Sequence, residues 1–313
     1  MGLGEKAEQA AQALVHFYRT TGGLMCEGAY RIERAHGGSH ILWQLPEGQM
    51  WPRPDPVGVR HYQPTAVETA MAERRLDTDV RFSDEMLKDV REASSVSIRK
   101  MRSTDGELNI YKPEAGENYD GLFHFRPYRG AQTDREVSAY RLDEALGFGR
   151  IPPTARTAGV AGMESGRTGS GMIQQFVESG PGRAAREYGK PQQQQVGVLD
   201  YIMGNLDRRP ANFRTVYHDD GTFDLLAIDH GRAFPESFDP FEVPMSSDFL
   251  ELWAGKGEDL QPEILAALDR VDVAQLHSAL SDTGLSENAT SGAVERFKYL
   301  RELRRIPQYI SHD

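Results

Sequence analysis

A chain of 313 residues, 39% of them hydrophobic, has enough length and apolar content for two structural units or one two-lobed domain. Its 47 acidic residues against 36 basic ones leave a net charge of −11, which disfavours nucleic acid as the main partner, because phosphate binding needs clustered cations. No apolar run approaches the ~18 residues that span a bilayer, the opening MGLGEKAEQAAQ lacks the apolar stretch of a secretory signal, and the single cysteine, Cys26, excludes disulfide scaffolds and cysteine-rich zinc sites. The expectation is a cytoplasmic protein with no membrane insertion.

The first predicted element is a helix carrying Ala7, Ala10, Ala11, Leu14, Phe17 and Tyr18 on one stripe, stopped by Gly22-Gly23. The alternating runs AYRIER and HILWQL, separated by His36-Gly37-Gly38-Ser39, predict a hairpin. WPRPDP (51–56) can continue neither ladder nor helix, since each proline lacks an N–H. Thr65 and Glu68 form a capping box opening a helix to about Leu76, and Ser83 caps another to about Glu92. Residues 1–92 therefore read as a mostly helical extension. Strands follow: SVSIRKMR (95–102), a turn at Asp105-Gly106, and ELNIYKP (107–113). Thr133 opens an amphipathic helix that Gly147 stops. GMIQQFV (171–177) has the pattern of a short buried strand, and SGPG (179–182) that of a hinge. Beyond the hinge the chain is mostly helical, apart from the strands FRTVY and TFDLLAI joined by HDDG (218–221) and a last helix over about 291–305. The order predicts an α+β fold of two lobes, a small strand-rich one over 93–178 and a larger helical one over 179–313, with a ligand cleft at the hinge.

The most informative stretch is DYIMGNLDRRPANFRTVYHDDGTFDLLAIDHGRAF (200–234). Its hairpin returns Asn212 to the neighbourhood of Asp229, with Asp207 five residues before the asparagine. Oxygen ligands of this kind suit Mg²⁺, a hard cation that shares its coordination with phosphates. The remaining aspartate can orient an attacking hydroxyl and accept its proton. Asp200 reads as an anchor for this loop, and Asp207-Arg208 as a possible surface pair. The nine histidines show no metal-ligand spacing and read as surface or core residues.

D-R-x-x-x-N followed by a strand and D-x-G resembles the catalytic and metal-binding loops of the atypical kinases. These include phosphoinositide 3/4-kinases, HipA-type kinases, actin-fragmin kinase and the secretory casein kinases of the Golgi. IYKP (110–113), REVSAYRLDEALGFGRIPPT (135–154) and MIQQFV (172–177) resemble the small lobe of bacterial phosphatidylinositol-kinase-like proteins. The resemblance spans about 94–235. It implies a kinase-like fold and an ATP- and Mg²⁺-dependent transfer of phosphate to a hydroxyl. It also implies that Lys112 holds the ATP phosphates, that Glu136 pairs with Lys112, and that Ser94 and Ser95 lie in a phosphate-covering loop. The strand Gln174, Gln175, Phe176 and Val177 would receive the base, Asp207 would serve as catalytic base, and Asn212 and Asp229 as metal ligands. The sequence departs from the pattern in lacking a G-x-G-x-x-G loop and in placing Arg209 where many relatives have histidine. A nucleotide-binding pseudokinase or interaction scaffold, and an AMP-transferring enzyme on the same fold, stay open as alternatives.

The segment expected beside the acceptor, RAFPESFDPFEVPMSSDF (232–249), carries Glu236, Asp239, Glu242 and Asp248 against Arg232 alone. Its charge predicts a neutral or cationic acceptor, a Ser/Thr polypeptide or a hydroxylated metabolite, rather than a phosphoinositide. Phe234, Phe238, Phe241 and Phe249 offer an aromatic surface on which a polypeptide could lie.

Overall fold

The computed structural model describes residues 62–82, 98–117, 128–159, 169–236 and 239–309, together with Phe125 and the backbone of strands at 30–33, 39–42 and 310–311. The first predicted helix, WPRPDP, the helix from Ser83, and Ser94 and Ser95 lie outside the described residues. The first hairpin pairs β1 (Tyr30–Glu33) with β2 (Ser39–Leu42), antiparallel as expected.

Helix α1 (Ala66–Ala72) opens on the Thr65–Glu68 capping box. It ends four residues earlier than the pattern suggests, and Leu76 instead begins strand β3 (Leu76–Val80). That strand joins β4 (Arg99–Ser103), β5 (Leu108–Pro113), β6 (Thr154–Thr157) and β7 (Gly171–Gln175) in one antiparallel sheet of order β3-β4-β5-β7-β6. Segment 62–80, read from sequence as extension, thus contributes a helix and a strand to the small lobe. Met71, Leu76, Met101, Tyr111, Ala155 and Ile173 form one apolar cluster on one face of this sheet, with α1 over it. The other face carries residues whose register is opposite: Lys100 pairs with Ile110, Ile110 with Gln174, and Lys112 with Met172. Directly opposed residues share a face, so this second face gathers Lys100, Ile110, Lys112 and Gln174. Gly171 is required beside it, because a Cβ there would stand 2.2 Å from the Lys112 carbonyl oxygen.

Helix α2 (Ala131–Leu146) starts at Gly130, not at Thr133. Its first turn is capped from a distance: the Glu117 carboxylate accepts from the Gly130 and Thr133 N–H groups at 2.9 and 2.8 Å. A carboxylate at this end satisfies orphan donors and the positive end of the helix dipole together. Glu136 is thereby released from capping. Helix α1 is fastened to α2 by a buried pair, with Arg141 Nε and Nη2 donating to Glu68 Oε1 and Oε2 at 2.7 and 2.6 Å. Gly147, at φ 70°, ends α2.

The large lobe contains β8 (Gly180–Pro181), α3 (Lys190–Met203), β9 (Phe213–Tyr217), β10 (Phe223–Ala227), β11 (Pro244–Met245), α4 (Asp248–Trp253), α5 (Pro262–Arg270), α6 (Val273–Ser281), α7 (Glu287–Leu303) and β12 (Ile310–Ser311). The predicted hairpin is β9–β10, and the hinge residues Gly180 and Pro181 add a third strand to it. The main apolar cluster joins Leu142 and Leu146 of α2 to Val198, Leu199 and Ile202 of α3 and Phe297 and Leu300 of α7. Among the described residues, no helix is long and apolar enough to cross a membrane.

Where α2 turns toward β6, Asp143 is buried, and its Oδ2 accepts from the Ile151 N–H at 3.0 Å while Oδ1 has no partner. Burial pushes its carboxyl up to about 7, against the backbone N–H groups of Ile151 and Arg150 that favour the charged form. A carboxyl raised in the folded state contributes stability that is complete at low pH and is lost as pH rises through about 7. Asp143→Asn keeps an acceptor for Ile151 and removes the ionisation. Thermal melts should therefore show the variant gaining on the wild type as pH moves from 5 to 8; a constant difference across that range would contradict the buried neutral carboxyl.

Candidate active site

Three segments converge under the sheet. Strand β5 delivers Lys112, helix α2 delivers Glu136, and the turn after β10 delivers Asp229. The Lys112 Nζ donates to Glu136 Oε1 at 2.7 Å and to Asp229 Oδ1 at 2.9 Å. Burial alone would push the ammonium toward its neutral form, but Asp229 and Glu136 outweigh it and hold the lysine charged well above its ordinary range. Glu136 is buried as well, which would raise its carboxyl, yet Lys112 and His230 hold it below the usual carboxylate range. The expected lysine–glutamate pair across from Asp229 is thus present.

Glu136 has a second clamp that the sequence did not reveal. Its Oε2 accepts from the His230 backbone N–H at 2.9 Å and lies 3.2 Å from the His230 Nδ1. Burial and the nearby Arg208 charge lower the His230 pKa. Asp229 itself adopts φ 58°, a left-handed conformation unusual for a side chain with a Cβ. Aspartate tolerates it better than most residues.

The loop after α3 is held from inside. Arg208 is fully buried; its Nε contacts Asp200 Oδ1 at 3.1 Å, and its Nη1 donates to the carbonyls of Asn212 at 2.5 Å and Ile228 at 2.7 Å. Asp200 also accepts from Asn205 Nδ2 at 2.9 Å and Ser247 Oγ at 2.7 Å. Asp200 is therefore the expected anchor, but Arg208 serves as its partner and not as a surface partner of Asp207. One guanidinium ties the loop to both ends of the β9–β10 hairpin. Charge-assisted contacts of this sort give position as well as energy.

Asp207 projects from this fixed loop. Its N–H donates to Asn205 Oδ1 at 3.0 Å, and its carbonyl accepts from Asn212 Nδ2 at 2.5 Å. The carboxylate meets Arg209 Nε at 3.0 Å and Arg232 Nη1 at 3.7 Å, both guanidinium groups being about half exposed. Glu236 is buried, Asp239 accepts from the Phe241 N–H, and Asp248 begins α4. Asp248 lies beside the loop, its N–H donating to the Arg208 carbonyl at 3.1 Å, while the groups that pair with the Asp207 carboxylate itself are the guanidinium groups of Arg209 and Arg232. The aromatic surface is reduced, because Phe234 and Phe249 are fully buried, Phe241 packs against Tyr299, and Phe238 lies outside the described residues.

Asn212 is buried with Oδ1 lacking any partner, and its carbonyl accepts from the Ile228 N–H at 3.0 Å, one residue before Asp229. A buried amide oxygen left unpaired costs free energy unless a ligand takes it. A hard cation fits that need, with Asp229 as the charged companion. Among the described residues, no cluster of three or more His, Cys, Asp or Glu side chains could hold a metal ion, so a cation here would draw further oxygens from phosphate or water.

The strand expected to receive the base is largely committed to the sheet. The N–H groups of Gln175 and Phe176 donate to Pro153 and Leu108 carbonyls, and Gln174 Nε2 donates to Thr154 Oγ1 at 2.8 Å. Of the four residues, Val177 alone lies beyond both of those main-chain bonds, so a backbone N–H donor to a base would come from it or from residues after it, whereas carbonyl acceptors are not limited in this way.

Residues 157–256, which include most of this site, match the family described as phosphatidylinositol 3- and 4-kinase. Similar proteins are phosphatidylinositol 4-kinase gamma 4 of Oryza sativa subsp. japonica, 28% identical over 150 residues, and phosphatidylinositol 4-kinase gamma 4 of Arabidopsis thaliana, 31% identical over 123. The first alignment takes in 44% of this chain and 26% of that relative, the second 34% and 22%. The chain spans about a quarter of the length of these relatives. Among solved structures, the Golgi casein kinase with Mn/ADP bound superimposes with a TM-score of 0.50 at 13% identity, covering 76% of this chain and 74% of that one. A second structure of the Golgi casein kinase gives 0.50 at 14%, covering 79% and 78%. The fold is that of an atypical kinase. In this atypical kinase fold, the antiparallel small-lobe sheet, α2 beneath it and the turn after β10 bring Lys112, Glu136 and Asp229 into contact, and the loop after α3 sets Asp207 against Asn212.

Proposed function

We propose that the protein is an ATP- and divalent-metal-dependent phosphotransferase that moves the γ-phosphate to a hydroxyl. The observation that carries this reading is the partly buried Lys112 ammonium bridging Glu136 and Asp229. A cation so held is preorganised for phosphate oxygens, and preorganised charge contributes most where water is excluded. Asn212 and Asp229 would hold the cation, which when bound supplies neutralisation of phosphate charge. Lys112 would orient the ATP phosphates. Asp207 would accept the proton of the acceptor hydroxyl as its oxygen bonds to the γ-phosphorus and the bond to the β-phosphate oxygen breaks, releasing ADP. The two lobes flanking this cleft divide near Ser179, and the small lobe takes in the segment from 62 onward.

Arg209 and Arg232 modify the acceptor expected from sequence. Two half-exposed guanidinium groups share one carboxylate, which leaves one positive charge beside the hydroxyl-binding position. The acceptor that fits carries an anionic group near its hydroxyl; a basic peptide does not. A panel of acidic Ser/Thr peptides, basic Ser/Thr peptides, phosphoinositide vesicles and amino sugars, each with γ-labelled ATP, tests both steps. Label should enter an anionic class, and replacing Arg209 and Arg232 by alanine should raise KM for that acceptor roughly tenfold or more. Faster labelling of the basic peptide or the amino sugar would overturn the anionic assignment, and no labelling of any acceptor, with no ATP hydrolysis, would favour a nucleotide-binding scaffold.

A further inference from the structure

Lys100 is a lysine that the sequence places in an ordinary strand and the fold places next to the nucleotide cleft. It is only 8% exposed, and it lies on the same sheet face as Ile110, Lys112 and Gln174. Along β5, Ile110 is two residues from Lys112 toward the hinge, so Lys100 stands on the hinge side of the phosphate-binding lysine. Its Nζ lies 3.7 Å from the centroid of the Phe176 ring, at the end of the hinge strand. Among the described residues, no carboxylate pairs with it.

A ring face offsets only part of the cost of taking an ammonium out of water. The group keeps three N–H donors and has no acceptor of its own. A lysine used merely for packing would send its charge to solvent along its flexible stem; this one is turned inward onto the hinge aromatic. The neighbouring Gln174 spends its amide N–H on Thr154, which leaves its carbonyl oxygen as the acceptor on the same face. The base end of the cleft thus offers a charged donor beside an amide acceptor, where an apolar wall would suffice for stacking alone.

We propose that Lys100 reads the nucleotide base, donating from Nζ to an acceptor on the purine edge. Adenine presents N7 beside an amino donor, and guanine presents N7 and O6 together. The inference rests on the phosphotransferase reading, since it needs a nucleoside triphosphate in the cleft. Its test is direct binding of ATP, GTP and inorganic tripolyphosphate to the full chain, wild type and Lys100→Met. Methionine keeps the apolar stem against Phe176 and removes the donors. The expected result is a loss of about tenfold or more in affinity for nucleoside triphosphate, unchanged tripolyphosphate affinity and no fall in melting temperature. A loss shared by ATP and GTP assigns the contact to the edge both purines present. A loss with one of them assigns it to the atoms that differ. Lys100→Gln, which retains a neutral donor, should recover part of the loss and guards against a folding artefact. Unchanged affinity for both nucleotides, or an equal loss for tripolyphosphate, would overturn the proposal. A wild-type protein that binds none of the three would overturn the phosphotransferase reading itself, a pattern distinct from either.

Discussion

Replacing Asp229 by alanine is expected to reduce phosphoryl transfer by at least three orders of magnitude and to remove the metal dependence of nucleotide binding. Two contributions are lost together. The carboxylate would be the charged ligand beside the unpaired Asn212 Oδ1, and loss of a metal ligand removes several kcal/mol of transition-state stabilisation, in order of magnitude. It is also the second anchor of Lys112, which would then hold to Glu136 alone. Alanine at φ 58° adds backbone strain that aspartate tolerates better. Asp229→Asn separates these effects, because asparagine keeps the left-handed preference and an oxygen ligand while losing the charge. Both variants should fail in single-turnover assays with γ-labelled ATP, and Asp229→Asn should melt close to the wild type. Near-normal turnover in Asp229→Asn would show that this carboxylate is not the charged ligand.

How much of this site could be read beforehand follows from the range of the interactions involved. The β9–β10 hairpin is local: two short alternating strands around His218–Gly221 specify it, and it brings Asn212 and Asp229 together without help from the rest of the chain. Lys112 and Glu136 are separated by 24 residues, and only the likeness to kinases paired them in advance. Glu136 also stands three residues after Thr133, the spacing of a capping box, but no such box forms, because Glu117 occupies that helix end from 13 and 16 residues away. Strand β6 lies directly after Ile151-Pro152-Pro153, where prolines mask the short strand that follows. Strand β3 is mostly polar and exposed, and its pairing with β4 leaves no apolar alternation to detect.

The buried cations were the hardest to see. Arg208 looks like a surface residue from its neighbours Asp207, Arg209 and Pro210, and only the return of Asp200 and Ser247 to the same point buries it. His230 carries no ligand spacing in sequence, yet it fixes the far oxygen of Glu136. Lys100 alternates correctly for an exposed strand residue. Its burial depends on which sheet face meets the large lobe, a property that pattern alone does not determine.

Asp207→Asn is expected to lower the rate of phosphoryl transfer by ~10²–10⁴, the range typical of a lost general base, while leaving the KM for ATP and the melting temperature nearly unchanged. The loop does not depend on the Asp207 side chain for its shape. Its path is set by Arg208 on Asp200, by the Asp207 N–H on Asn205, and by the Asn212 amide on the Asp207 carbonyl. All three survive the substitution. The ion pairs to Arg209 and Arg232 do not, but both arginines are about half exposed, and pairs of that kind contribute only ~0–1 kcal/mol. Asparagine cannot take the acceptor proton, so the loss should fall on kcat. The two arginines, relieved of their carboxylate, should hold an anionic acceptor at least as well as before, and its KM should not rise. This separates Asp207 from Asp229, whose removal should damage nucleotide binding and rate together. Equal losses in ATP affinity and in kcat for Asp207→Asn would make the residue a metal ligand or a structural one, and would move the hydroxyl acceptor away from the Arg209–Arg232 frame.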